Sequence, residues 1–78
     1  MVQPGKYRHY KGKNYQVLKV VMHTETQQPM VYYKALYPVA GDNDLYGKEI
    51  HFVRPLDMWL EKVKLNGTTI DRFTLIKL

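Results

Sequence analysis

Turn signals divide the chain into short segments, and this limits the possible folds more than any other feature. Each signal is a cluster of glycine, proline or short polar residues. The clusters are Pro4-Gly5, Lys11–Asn14, Thr24–Pro29, Pro38–Gly47 and Asn66-Gly67. Glycine and asparagine tolerate the positive φ angles that tight turns require. With Pro55 dividing residues 48–65, the segments between these clusters are short for helices and favour short strands.

Two candidate strands, 15–23 and 30–37, flank a polar loop and predict an antiparallel hairpin. Their apolar residues face each other along one side if Met22 lies opposite Val31, which makes that side the predicted core. The predicted core pairs are Met22–Val31, Val20–Tyr33 and Leu18–Ala35. The same register places Lys19 opposite Lys34 on the outer side, where two like charges repel each other unless an anion or acid is nearby.

The second half of the chain predicts further short elements. A strand is expected over 49–53, and a helical turn at 56–61 with Leu56, Trp59 and Leu60 on one side. Asn66-Gly67 is the favoured pair for a type I′ turn between two strands. Residues 72–78 are expected to form a closing strand. The pattern predicts a mainly β fold, a small antiparallel barrel or curled sheet of five to six short strands with one helical turn.

The length and composition exclude several classes of protein. A chain of 78 residues is one domain by length, with residues 1–5 expected to be a loose lead-in. It contains no cysteine and no serine, which excludes disulfides, thiolate metal sites and serine nucleophiles. No apolar run is long enough for a membrane span, and the start of the chain lacks an apolar signal-peptide core. We therefore expect a cytoplasmic protein that does not enter a membrane.

Metal and cofactor sites are not expected either. The three histidines fit no zinc spacing, and the glycines are isolated in turns rather than gathered in a phosphate-binding loop.

The charge is unevenly distributed. Lysine and arginine number twelve against seven acids, and residues 1–20 hold five bases and no acid. These bases alternate with Tyr7, Tyr10 and Tyr15. Such a segment can follow a phosphate backbone while its rings stack on bases, or it can be a solvated edge that keeps a small sheet soluble.

Three motifs carry a resemblance to a known family. They are GKYRHYKG at 5–12, HTET at 23–26 and VRPLDM at 53–58. Together they resemble the small bacterial domain-of-unknown-function family sixteen-fifty-three over roughly residues 5 to 75. The resemblance implies an SH3-like barrel and brings no biochemical activity with it. His51 lies outside the pattern, so the resemblance assigns it no role.

The candidate site residues fall into several groups. His23 and Glu25 lie two apart at a strand end and could share a proton, or their loop simply satisfies its own backbone. Arg8 and His9 are expected on opposite faces of one strand. Arg54 is held extended by Pro55, and it either pairs with Glu49, Asp57 or Asp44 or anchors an anion. The candidate ligand-binding residues are Arg8, His9, Tyr10, Lys19, His23, Thr24, Glu25, Thr26, Tyr32, Lys34 and Arg54.

Three functions are open at this point. The leading hypothesis is a non-enzymatic binding module that contacts RNA or another polyanion through Lys19, Lys34, Arg8 and nearby tyrosines. The alternative is a peptide- or protein-interaction domain with an aromatic groove. The last is a small enzyme that uses His23 and Glu25, with His9 and Arg54 around a pocket.

Overall fold

The computed structural model describes residues 2–77, which fold into seven strands and two helices of a single turn. The elements are β1 (Gly5–His9), β2 (Asn14–Met22), β3 (Pro29–Ala35), α1 (Asn43–Tyr46), β4 (His51–Pro55), α2 (Leu56–Trp59), β5 (Lys62–Leu65), β6 (Thr68–Asp71) and β7 (Phe73–Leu75). Neither helix is long enough to span a membrane, and this holds for the described residues only.

The strands form two antiparallel sheets. Five strands are ordered β4-β3-β2-β1-β7, and β5 pairs with β6 in a separate hairpin. The predicted mainly β fold is confirmed, with seven strands and two helical turns in place of five or six strands and one turn. The SH3-like type of barrel stays a prediction.

The core lies on one face of the five-stranded sheet and is largely aromatic. Its buried members are Val2, Tyr7, Val17, Val31, Tyr33, Trp59 and Phe73. The rings of Trp59 and Phe73 stack with centroids 3.7 Å apart and planes 3° from parallel. Trp59 comes from α2 and Phe73 from the first position of β7. The stack therefore ties the short helix to an edge of the sheet.

The predicted register of β2 on β3 is wrong. A bulge lies between Val17 and Lys19, and the pairs on either side of it are Val17 with Tyr33 and Lys19 with Tyr32. The next pair is Val20 with Val31. The extra residue, Leu18, switches which side chains face inward along β2, so Val17 before it and Val20 after it both pack in the core. Met22, the last residue of the strand, is exposed. The expected core row of Leu18, Val20 and Met22 therefore does not exist as one row.

The Asn-Gly hairpin is confirmed, and the expected loose lead-in is partly wrong. Asn66 and Gly67 have φ angles of 51° and 80°, as a type I′ turn requires. At the start of the chain, Val2 is buried in the core and the Tyr7 hydroxyl donates to the Gln3 carbonyl at 2.8 Å. Met1 lies outside the described residues, as does Leu78 at the end of the predicted closing strand.

The helical turn at α2 follows the prediction in part. Leu56 packs against the core and Trp59 is buried, as their spacing indicates. Leu60 is 56% exposed and belongs to the surface. The loop 38–47, expected to be irregular, contains α1, which is capped by Asp42 Oδ1 accepting from the Asp44 N–H at 2.9 Å.

Candidate functional site

The outward side of the five-stranded sheet is basic. Tyr7 and Tyr33 point into the core, and beyond the bulge of β2 Val20 does as well, so the positions next to these residues point away from the core. We call this surface the outer face. Its basic members are Lys6, Arg8, Lys19 and Lys34. The five strands of this sheet contain no aspartate or glutamate, and the acid that approaches the outer basic residues is Glu49, which precedes β4 and pairs with Lys34.

Lys19 and Lys34 share the outer face but do not oppose each other. The bulge sets Lys19 opposite Tyr32, and Lys34 lies opposite Gln16. The predicted repulsion across the hairpin is therefore absent. The shared face, which the register argument also required, is present despite the wrong register.

A hydrogen-bonded network holds Lys34 in place. Lys34 Nζ lies 3.2 Å from Glu49 Oε2, and the other oxygen of Glu49 lies 2.8 Å from His51 Nε2. The second nitrogen of His51, Nδ1, lies 2.5 Å from the Tyr32 hydroxyl. The hydrogen bond from His51, followed by that from Lys34, lowers the pKa of the Glu49 carboxyl. The network orders two residues of the predicted surface, Tyr32 and Lys34.

His51 is the residue that the sequence analysis missed. It pairs with Lys34 across β3 and β4, and Glu49 stands two positions before it. Residues two apart in an extended segment face the same way. The same spacing argument was applied to His23 and Glu25, and it would have found Glu49 and His51.

The loop around His23 satisfies its own backbone. His23 Nδ1 accepts from the backbone N–H of Glu25 at 3.2 Å and of Thr26 at 3.3 Å. Thr26 Oγ1 accepts from the Gln28 N–H at 3.2 Å. In the described chain no hydrogen bond joins the His23 ring to the Glu25 carboxylate. Thr24 is exposed beside them. The imidazole therefore acts here as a turn-stabilising acceptor rather than as half of an acid–base pair.

Aromatic rings and cations converge where β1, β2 and β7 meet. The His9 ring lies 5.0 Å from Phe73 and 6.5 Å from Tyr15, both edge to face. The Tyr15 hydroxyl lies 2.7 Å from that of Tyr37, and burial followed by this hydrogen bond raises the pKa of Tyr15 to about 12. The guanidinium of Arg54 lies 5.3 Å from the centre of the Phe73 ring. We call these five residues the aromatic–arginine cluster.

A groove of about 420 Å³ runs past the end of β1. Arg8, His9 and Tyr10 line one side of it. The opposite side is formed by Ile70, Asp71, Thr74, Leu75 and Ile76. Arg8 and His9 lie on opposite faces of β1, since Arg8 belongs to the outer face and His9 contacts Phe73. Both border the groove because His9 is the last residue of the strand and the groove passes around that end.

The structure thus divides the predicted site residues among separate places. Arg8, Lys19, Tyr32 and Lys34 lie on the outer face, and His9 and Arg54 lie in the aromatic–arginine cluster. Tyr10 lies in the groove with Arg8 and His9, and residues 23–26 form a loop at the far end of the β2–β3 hairpin. Over residues 2–77, no group of three or more histidine and acidic side chains is arranged to hold a metal ion.

Comparison with known proteins gives a family without an assigned activity. The family model described as "Protein of unknown function (DUF1653)" matches residues 5–75. The crystal structure of a protein of that family from Bordetella bronchiseptica is similar, with a TM-score of 0.82 and 33% sequence identity. The match covers 96% of this chain and 87% of the Bordetella chain. No curated protein matches this chain.

Proposed function

This chain belongs to the DUF1653 family of proteins of unknown function, and from its geometry we propose that it is a non-enzymatic module that binds single-stranded RNA. The observation that carries the proposal is the outer face, where four basic residues lie on three adjacent strands of a sheet free of acidic residues. RNA is the partner because a flexible polyanion can follow such a face.

The arrangement of the outer face suits a phosphate backbone. Adjacent strands lie about 4.8 Å apart, so Lys6 on β1 and Lys34 on β3 are separated by about 10 Å across the sheet. Tyr32 lies between the basic side chains, next to Lys19 on the neighbouring strand. Its ring is held through its hydroxyl by His51. A ring fixed among cations offers a base a stacking surface at low entropic cost.

The number of basic residues predicts a salt dependence. Each phosphate neutralised on a single strand contributes a slope of about −0.7 to log K against log salt. Four contacts predict a slope of about −2.8, and an affinity loss of about 50-fold between 50 and 200 mM salt. This is measured by fluorescence anisotropy with a labelled single-stranded RNA of mixed sequence.

The decisive variant reverses charge where no ion pair is disturbed. We expect Lys6→Glu with Lys19→Glu to reduce the salt slope to about −1.4 or less and to abolish binding at moderate salt. Both side chains are exposed, so folding should be unchanged by circular dichroism. Lys34 is left intact because its reversal would also break the Glu49–His51 network.

The matched control is Lys64→Glu with Lys77→Glu. These residues are also exposed, lie outside the five strands and change the net charge by the same amount. We expect the control to retain most of the affinity. Equal losses in the two double variants would mean that binding follows net charge alone, and the outer face would then be rejected.

The groove at the end of β1 favours a second candidate function. Its walls combine Ile70, Leu75 and Ile76 with the Tyr10 ring and the Arg8 guanidinium. A groove of this composition suits an extended peptide with apolar side chains and an acidic residue. Salt separates the two functions, since peptide binding in an apolar groove is weakened only modestly between 50 and 200 mM salt. A binding partner lost on Ile70→Asp but retained with the Lys6 and Lys19 reversals would favour the peptide.

A further inference from the structure

Arg54 occupies an unusual position for an arginine. Its neighbour two residues earlier, Phe52, packs on the core, so Arg54 lies on the core-facing row of β4. It extends toward Phe73 on β7, which is the opposite edge of the sheet. Half-buried arginines facing a core are normally paired with a carboxylate.

No such partner is present in the described chain. Over residues 2–77 the guanidinium of Arg54 makes neither an ion pair nor a hydrogen bond. Glu49, Asp57 and Asp44, the acids expected to pair with it, do not do so. Glu49 is bound to Lys34 and His51. Five N–H donors are therefore left for solvent or for a ligand.

The surroundings of Arg54 are electropositive. His9 lies against the same Phe73 ring, and its pKa is lowered first by burial and then by three nearby cations. Those cations are Arg54, Arg72 and Lys11. No acid raises the pKa of His9, so the imidazole and the guanidinium of Arg54 share a region where anions are favoured.

Arg72 is a second cation near His9, and one of its nitrogens has no hydrogen-bond acceptor. Its Nη2 lies 2.7 Å from Glu61 Oε1, but its Nε is buried and has no hydrogen-bond partner. Because this nitrogen has almost no accessible surface, an anion does not reach it, and Arg72 contributes its charge to the region rather than a hydrogen bond. With Glu61 offsetting one of the three cations, the region keeps a charge of about +2, which matches a dianion.

We propose that Arg54, together with Arg72 and His9, forms a binding site for a phosphomonoester group. A phosphate dianion accepts several hydrogen bonds at once and pairs with the fork of a guanidinium. The site lies in the aromatic–arginine cluster, on the core-facing side of the sheet, and is separate from the outer face. Inorganic phosphate, a free nucleotide and the 5′-phosphorylated end of an RNA all present such a phosphate dianion.

The test is an NMR titration that follows the Arg54 Nε–H and the His9 ring at constant ionic strength. The probes are inorganic phosphate, adenosine 5′-monophosphate and adenosine. We expect the two phosphates to shift both signals and adenosine to shift neither. Bound phosphate also raises the pKa of His9, because a dianion offsets the cations around it. Shifts confined to the outer-face lysines would overturn the proposal.

Variants locate the effect. Arg54→Gln should weaken phosphate binding about tenfold or more, whereas Lys64→Gln, which removes one exposed charge outside both proposed sites, should alter it less than twofold. Arg54→Lys keeps the charge, loses the fork and should give an intermediate loss. Arg54→Gln binding phosphate as well as the parent refutes the site. If that variant does not fold, Arg54→Lys and the parent titration decide.

Two RNAs separate this site from the proposed function. A 5′-phosphorylated RNA should shift the Arg54 and His9 signals, and the same RNA with a 5′-hydroxyl should not. The Lys6 and Lys19 reversals should leave phosphate binding intact. If a free nucleotide binds and neither RNA binds, the site is one for small molecules. RNA binding by the outer face is then rejected, and the phosphate site is retained.

Discussion

Replacing Trp59 with alanine tests how far one ring holds this small fold together. Trp59 is 2% exposed. It stacks on Phe73 at 3.7 Å and meets Tyr33 and Tyr7 edge to face at 4.9 and 5.5 Å. Truncation of such a buried tryptophan costs about 3–5 kcal/mol. A domain of this size has a free energy of unfolding of about 4–12 kcal/mol, so much of its stability depends on this ring.

The assay is thermal and urea unfolding followed by circular dichroism, since the variant lacks the one tryptophan fluorophore of the chain. At about 4–8 °C per kcal/mol, the midpoint should fall by about 12–40 °C. If Trp59→Ala is unfolded at the outset, Trp59→Phe retains a ring against Phe73 and should show an intermediate loss.

The control is the neighbouring Leu60→Ala. Leu60 is 56% exposed, although its spacing in the sequence placed it on the same side as Trp59. We expect a loss below about 1 kcal/mol. Similar losses for Leu60→Ala and Trp59→Ala would refute the view that α2 is held by its core-facing residues, Leu56 and Trp59, and not by Leu60.

Three further changes have expected outcomes. The pKa of His9 is lowered in the folded protein, so the unfolded chain binds a proton more readily at this residue. The free energy of unfolding should therefore fall as the pH drops below 6.5, and the fall should be smaller in His9→Gln. Urea titrations at several pH values measure both. Gly67→Ala should cost about 1–2 kcal/mol by thermal melting, because position 67 has a φ of 80°. Tyr15→Phe should cost about 1 kcal/mol by losing the hydroxyl pair with Tyr37. It should also remove the phenol that titrates near pH 12 in ultraviolet spectra.

The elements were largely predictable because they depend on local chemistry. Asn66-Gly67 requires no information beyond two residues and their flanking strands, and it folds as expected. The helical turn at α2 likewise follows from the spacing of Leu56 and Trp59. These features are set by backbone preferences and short-range periodicity, which are visible in the sequence.

The register of β2 was not predictable in the same way. The side chains on both faces of β2 are mostly apolar, so their alternation does not show whether Val17 or Leu18 faces the core. The bulge at Leu18 resolves this in three dimensions by letting Val17 and then Val20 face inward. Neither row alone supplies the core, and a pattern of strict period two predicts the wrong one.

The candidate sites depend on contacts between distant parts of the chain. Arg54 reaches Phe73, nineteen positions away, only because the two edge strands of the sheet approach each other. The predicted acids for Arg54 were chosen for closeness in sequence, and the fold places a ring there instead. Arg54 and His9 were both predicted as site residues from their chemistry. That both contact Phe73 follows from the fold and could not be predicted from the sequence.

The hairpin formed by β5 and β6 has a consequence for engineering the protein. Its strands pair with each other and are not part of the five-stranded sheet. Ion pairs lie at its base, Lys62 with Asp71 and Glu61 with Arg72. Its tip, Asn66-Gly67, is exposed and lies outside the hydrogen-bond ladder of the main sheet. A guest peptide or affinity tag inserted at this tip should therefore be displayed without disturbing the main sheet. The protein could be immobilised through such an insertion.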